Sequence, residues 1–240
     1  MKNEKQINEE LIKFWDSALT LSEEEKEEIK NAKDMDYKQM APAAKLCDAA
    51  EALCSCKKAL DYGCGSGWAS IIASKSGCAD VTAVDIGENI IDMVKAYADA
   101  FGAKINAFSI SPDWLKTIPD QTFDGVICSN VLDVVPLETS KEIIKELARV
   151  STPDAKIIIG LNFYMPPEVT VQRGMPLEED KYLFVNGVLR LLSLKDEDWV
   201  GLFSPYFYVE KLDYFAWPGE PKETRRLFYL KNKNNLKNID

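Results

Sequence analysis

The chain has 240 residues, 46% of them hydrophobic and 28% charged, which is globular composition with ample length for a buried core and excludes a disordered or fibrous chain. Its 29 Lys+Arg against 39 Asp+Glu give a formal net charge of −10, a balance that repels phosphate backbones and makes nucleic acid a poor partner. Histidine is missing altogether, which removes Ser-His-Asp and Cys-His catalysis, histidine metal sites and histidine proton transfer in one stroke.

Along the chain, Ile7, Leu11, Phe14, Trp15, Ala18 and Leu19 recur at helical spacing and predict a first helix. Ser22 with Glu25 makes a capping box for a second, whose acidic residues 23–28 suit a solvated face near a helix N-terminus. A third helix is expected over 40–53. Together they read as an appended helical lid, residues 1–57. From Lys58 the rhythm changes to strands and helices in alternation. The strands are KKALDYG, ADVTAVD, AKINAFSI, TFDGVICSN and AKIIIGLNF; helices over 68–76, 88–101 and 137–150 separate them, and a turn at Ser151-Thr152-Pro153-Asp154 precedes the fifth strand. Such alternation predicts an α/β, Rossmann-like doubly wound parallel sheet. The fifth strand is apolar throughout, as a strand buried on both faces should be.

Beyond it, Asn186-Gly187 between YLFV and VLRLL is a strong hairpin signal, placed in an insertion at 163–192. Ser193 is expected to cap a helix through Trp199 and Phe203. FYVEKLDYF and RRLFYLK, joined by a short turn at Pro218-Gly219, make an antiparallel pair. The α/β domain thus runs over 58–231, followed by a polar tail at 232–240. An exposed YLFV edge wants covering, and an isologous homodimer through the hairpin is one way to cover it.

The six cysteines, Cys47, Cys54, Cys56, Cys64, Cys78 and Cys128, form no CxxC pair and read as reduced, mostly buried thiols; neither a metal site nor a disulfide scaffold is expected. No apolar run approaches the ~20 residues that span a bilayer, and the first residues have no apolar leader. A soluble, cytoplasmic protein without a membrane partner is expected.

Chemistry concentrates in Asp61-Tyr62-Gly63-Cys64-Gly65-Ser66-Gly67-Trp68, at the end of the first strand and the start of the next helix. Glycines there permit positive φ and close approach of the backbone to a ligand. The helix start offers free N–H groups. Asp85 ends the second strand, 18 residues beyond Gly67, where a carboxylate can accept both ribose hydroxyls of a nucleoside. A dinucleotide site would want G-x-G-x-x-G, but the last of those positions is Trp68, and Asp61 would repel a pyrophosphate. The pattern suits a nucleoside with a cationic amine and no phosphate, such as S-adenosyl-L-methionine.

LDYGCGSGW, VTAVDI and TFDGVICSNVLDVVP, in that order between 58 and 159, resemble the class I S-adenosylmethionine-dependent methyltransferases, in the small-molecule, methyltransferase-type-11-like branch. The resemblance implies a seven-stranded sheet, mostly parallel, with an antiparallel last strand. It also implies that Gly63, Gly65 and Gly67 wrap the methionine portion, that Asp61 faces the amino group, and that Asp85 holds the ribose with Ile86 on the adenine. Either Ser111 or Asp113 would meet the adenine amino group, and Ser129 and Asn130 would line the reacting end. Trp15, Tyr37, Asp133 and Tyr164 are candidate walls of an acceptor pocket, with Met165 and Tyr182 beside them. No residue is assigned as catalytic base, since methyl transfer from a sulfonium needs one only for an acceptor that is protonated at neutral pH. The function expected is methyl transfer to a small-molecule acceptor. A non-catalytic cofactor-binding or regulatory protein and an NAD-dependent oxidoreductase are the alternatives.

Overall fold

The computed structural model of the chain describes residues 4–18 and 21–233. Leu19 of the expected first helix and the tail from 234 onward lie outside them. Three helices come first: α1 (Glu4–Ala18), α2 (Glu23–Asn31) and α3 (Ala44–Glu51). There follow β1 (Lys58–Tyr62), α4 (Trp68–Ser76), β2 (Asp80–Asp85), α5 (Glu88–Phe101), β3 (Asn106–Ser109), a single turn α6 (Trp114–Thr117), β4 (Phe123–Ser129), α7 (Leu137–Val150) and β5 (Ser151–Leu161). The last third holds α8 (Pro167–Gln172), the hairpin β6 (Tyr182–Val185) and β7 (Val188–Leu192), then α9 (Asp196–Phe203), β8 (Phe207–Phe215) and β9 (Arg225–Asn232).

Seven strands form one sheet in the order β3-β2-β1-β4-β5-β9-β8, and the hairpin stands apart from it. Strands β1 to β5 pair in parallel, while β9 runs antiparallel to both β5 and β8. The sheet is therefore mostly parallel with one reversed strand, as expected. Alternate residues of β5 serve opposite layers. Ile157 and Ile159 pack with Leu60, Val126, Ile144, Leu147, Trp199 and Phe203, whereas Ile158 packs with Ile127, Leu46, Ala50 and Ile72. That two-sided burial is why the strand is apolar throughout. Strand order reverses between β1 and β4, and in open α/β sheets this switch point opens a crevice at the carboxyl ends of the strands.

Three local expectations are corrected. The third helix does not begin at residue 40, because Pro42 forces Ala41 into an extended conformation (φ −67°, ψ 130°); a short 3₁₀ turn, Tyr37–Met40, stands there instead. Residues 151–154 belong to β5 and are not a turn: Ser151 pairs with Phe123, and a bulge between Phe123 and Gly125 absorbs the change of register. Ser193 does not cap α9. Its hydroxyl donates to the carbonyl of Met165 and accepts from the Met165 N–H, while the N–H of Lys195 is taken by Asp198.

The N-terminal helices go to different places. α3 supplies Leu46, Cys47, Ala49 and Ala50 to the core under α4, whereas Ile7 and Leu11 of α1 bury Leu189 of the hairpin. That hairpin turns on Asn186 (φ 52°) and Gly187 (φ 79°), the two positive angles its sequence predicts. Five of the six cysteines are buried and Cys54 is exposed, all as free thiols. No helix among the described residues is long and apolar enough to cross a membrane.

Candidate active site

Gly63, Gly65 and Gly67 all have positive φ, at 72°, 50° and 77°, so the turn after β1 needs residues without a Cβ penalty. Their further roles differ. A Cβ on Gly63 would lie 2.1 Å from Val131 Cγ2, and one on Gly67 2.9 Å from Val94 Cγ1, whereas one on Gly65 would meet nothing within 4 Å. Gly63 lets the segment after β4 close against the turn; Gly67 seats α5 and starts α4. Gly63→Ala combines that overlap with left-handed strain and is expected to lower stability by about 2–4 kcal/mol, against about 1 kcal/mol for Gly65→Ala. Thermal melts of the two variants check the order.

Asp85 ties the turn to β2. Its Oδ2 accepts from the Gly65 N–H at 3.0 Å and its Oδ1 from the Ile86 N–H at 2.7 Å. Burial raises the Asp85 pKa, and the N–H donors of Gly65, Ile86 and Gly87 pull it back down. Both Asp85 and the turn border a cavity of about 310 Å³.

Among the expected site residues, Gly63, Gly65, Asp85, Ile86, Ser111, Ser129, Asn130 and Trp15 line this cavity. The others stand elsewhere. Asp61 is only 4% exposed and turned away, its Oδ2 accepting from the Ser70 N–H at 3.1 Å and the Ser70 hydroxyl at 2.5 Å. Burial pushes it up to about 7, against the pull of the Ser70 hydrogen bonds, and the charge of Asp85 adds to the rise. Gly67 is packed behind the turn. Asp113 is exposed and paired with Lys116 at 2.7 Å, which leaves Ser111 as the cavity residue of that pair. Tyr37 packs beside Ile71 and Phe101 with the Lys75 ammonium over its ring, away from the cavity. Tyr164 does not line it either, and neither Met165 nor Tyr182 does. Met165 is buried beside Leu183 and Leu191, and the Tyr182 hydroxyl accepts from the Leu137 N–H.

Asp133 lies fully buried behind the cavity wall. Its Oδ2 accepts from the Asn162 N–H at 2.5 Å and its backbone carbonyl from the Leu192 N–H, so one residue ties the segment after β4 to the ends of β5 and β7. Burial pushes its carboxyl up to about 6, opposed by the Asn162 N–H and the Arg226 charge.

Most of the lining residues that sequence reasoning missed come from three places. Asn8, Leu11 and Ile12 join Trp15 on one face of α1; Val131, Val134 and Val135 follow β4; Thr139 and Ile143 belong to α7. The helical spacing of α1 signalled an apolar face, but nothing local said what that face covers. Asn8 Nδ2 donates to Thr139 Oγ1 at 3.0 Å and joins α1 to α7 across the cavity. Arg190 of β7 lies over the rings of Phe14 and Trp15, at 4.3 and 5.2 Å from their centroids.

Electrostatics decides which nucleotide fits. No Lys or Arg lines the cavity among the described residues, and the N-terminus of α4 is already answered by Asp61 through Ser70. A pyrophosphate would meet the Asp85 carboxylate with no lining cation among the described residues to offset it. A phosphate-free nucleoside against Asp85 fits the same residues.

Residues 59–154 match the family described as a methyltransferase domain. This segment is similar to methyltransferase domains. The chain is similar to a ubiquinone biosynthesis O-methyltransferase of Idiomarina loihiensis, 35% identical over 104 residues, which cover 43% of this chain and 42% of that one. It thus spans about two fifths of the length of the curated relatives it matches. Among solved structures, an S-adenosylmethionine-dependent methyltransferase from Methanosarcina mazei aligns with a TM-score of 0.62 at 20% identity, over 73% of this chain and 92% of that one. A magnesium protoporphyrin IX methyltransferase from Synechocystis, solved with bound S-adenosylhomocysteine, aligns with a TM-score of 0.58 at 19% identity, over 78% and 82%. At those identities the structural likeness establishes the fold alone.

Proposed function

We propose that this chain binds S-adenosyl-L-methionine and transfers its methyl group to a small-molecule acceptor. The observation that carries the reading is the Asp85 carboxylate, held at the cavity edge by the Gly65 and Ile86 N–H groups in a site that no cation lines among the described residues. Asp85 would accept the ribose hydroxyls, Ile86 would pack on the adenine, and Ser111 would stand at the adenine edge. Gly63 and Gly65 would let the backbone approach the methionine portion. When bound, the cofactor supplies an activated methyl group on a sulfonium. The protein's part is to align the acceptor and exclude water. α1 does the second, laying Leu11, Ile12 and Trp15 over the cavity. A small acceptor suits a cavity partly covered by α1, and the acidic chain disfavours nucleic acid. Five buried free thiols suit a reducing, cytoplasmic setting.

Calorimetric titration with S-adenosylmethionine, S-adenosylhomocysteine and NAD tests the reading. Saturable binding of the two sulfur nucleosides alone is expected. Binding of NAD in their place, or of none of the three by folded protein, refutes it. A non-catalytic binder is separated from an enzyme by whether methyl-labelled cofactor turns over with any member of an acceptor panel.

A further inference from the structure

α1 has 15 residues, a length at which a helix alone is marginal in water, so its place over the cavity depends on what it packs against. That partner is chiefly β7. Ile7 and Leu11 bury Leu189, with Trp15, Phe184 and Val188 packed around them, and these buried members belong to neither of the two clusters that fill the layers of the sheet. Leu11 and Trp15 serve twice, because they also line the cavity. Hairpin and α1 thus share one small core, and the side of the cavity that α1 forms is only as firm as that core.

Within the hairpin the pairing is irregular. Leu183 pairs with Leu191 and Phe184 with Leu189, which leaves Arg190 as an extra residue, a β-bulge. In a regular strand Leu189 and Leu191 would point the same way. Here Leu189 joins the α1 cluster, while Leu191 packs with Met165 and Leu183. Arg190 goes to the α1 side with Leu189. Its guanidinium lies 4.3 Å from the Phe14 ring centroid and 5.2 Å from that of Trp15, both within cation–π range. The two rings meet edge to face with centroids 5.1 Å apart, so one planar cation holds a neighbouring pair. Bulges are known devices for re-aiming a side chain beside a site.

We infer that Arg190 is a positioning residue: from the bulge of β7 it pins Trp15, and with it α1, over the cavity, and this pin sets how fast a bound nucleoside leaves. Arg190 acts through Trp15, which lines the cavity. That the nucleoside is S-adenosylmethionine or its demethylated product rests on the methyltransferase reading. A ligand beneath α1 escapes more readily the more often the cover lifts, so a weaker grip shortens its residence and shows mainly in dissociation. The α/β body does not depend on the pin, since Arg190 lies outside both of its core clusters.

The test uses the full chain with S-adenosylhomocysteine as the probe. Arg190→Met keeps a long apolar stem and removes the guanidinium, whereas Arg190→Lys keeps the charge and loses the plane. Stopped-flow mixing reads dissociation, and hydrogen exchange without ligand reads the opening of residues 4–18. The expected result for Arg190→Met is dissociation and α1 exchange each about tenfold faster, with exchange in β1 and β4 unchanged and Arg190→Lys in between. With Phe14→Leu and Trp15→Leu both in place, Arg190→Met should change neither rate. A merely structural role would lower the melting temperature and leave the dissociation rate of the folded fraction alone. Dissociation and α1 exchange within about twofold of the unmodified chain, exchange that quickens equally through the sheet, or an Arg190→Met effect of full size without the two rings overturns the proposal. Should the variant lacking both rings not fold, the rates of the two Arg190 variants decide. If S-adenosylhomocysteine does not bind the unmodified chain, the methyltransferase reading falls, and α1 exchange still decides what Arg190 does.

Discussion

Asp85→Ala will weaken S-adenosylmethionine binding by a factor of about one hundred or more. The carboxylate is the one charged group lining the cavity among the described residues, and it would do two jobs at once. It accepts the Gly65 and Ile86 N–H groups, which fixes the turn after β1 against the end of β2, and it would accept the ribose hydroxyls. Hydrogen bonds to a charged group contribute about 1.5–3 kcal/mol each, so losing two of them to the ribose corresponds to roughly two to four orders of magnitude in affinity. Asp85→Asn is expected to fall between the two, since an amide oxygen can still accept while the amide nitrogen confronts an N–H donor. Calorimetric titration gives the three affinities. An Asp85→Ala protein that binds within threefold of the unmodified chain would remove the basis for assigning the ribose to this residue.

Asp61→Asn is expected to stabilise the cofactor-free protein at alkaline pH while impairing the site. Asp61 is buried, and its pKa in the fold stands at about 7 against an ordinary value of 3.8. Between those values the folded protein keeps a proton that the unfolded chain has released. Stability therefore falls as pH rises from about 4 to 7 and stays at its lower level above that, opposite to the usual behaviour of an ion-paired carboxylate. The difference corresponds to something on the order of 4 kcal/mol, at 1.36 kcal/mol for each tenfold step in acidity. Asp133, at about 6 for the same cause of burial, acts in the same direction. In Asp61→Asn the amide oxygen can still accept from Ser70, and the cost of burying a charge disappears. The variant should melt higher than the unmodified protein at pH 8 and about equally below pH 4, with the gap opening through pH 4 to 7. A gap that is constant across this range would show that Asp61 does not titrate there. The same exchange removes the negative charge behind the turn, so its affinity for the cationic cofactor should drop. A buried carboxylate that weakens the fold and serves a ligand is a familiar form of the exchange between stability and function.

Much of the architecture was legible because its signals are local. Apolar alternation and helical spacing gave the order of strands and helices, Ser22 with Glu25 gave a capping box, and Asn186-Gly187 gave a hairpin turn whose two φ angles are both positive. Each rests on the conformational preferences of a few consecutive residues. Where a local reading failed, a neighbour in sequence or space outweighed it: Pro42 held back the start of α3, and pairing of Ser151 with Phe123 turned an expected turn into strand.

The site divides along the same line. Gly63, Gly65 and Asp85 stand at a strand end and a strand-to-helix turn, positions that sequence fixes directly, and they do border the cavity. What Asp61 faces, where Tyr37 packs and which face of α1 covers the opening depend on partners far away along the chain. Asp61 meets Ser70 of α4, Tyr37 meets Ile71 and Phe101, and Asn8 of α1 reaches Thr139 of α7. The sequence by itself determined the order of elements, the turn chemistry and the acid beside the glycine turn, because backbone preference and hydrophobic period act between near neighbours. Only the tertiary structure decided which carboxylate lines the cavity, which is buried behind it, and which helix covers it. Those outcomes follow from burial and long-range hydrogen bonds, which exist only once distant segments have packed.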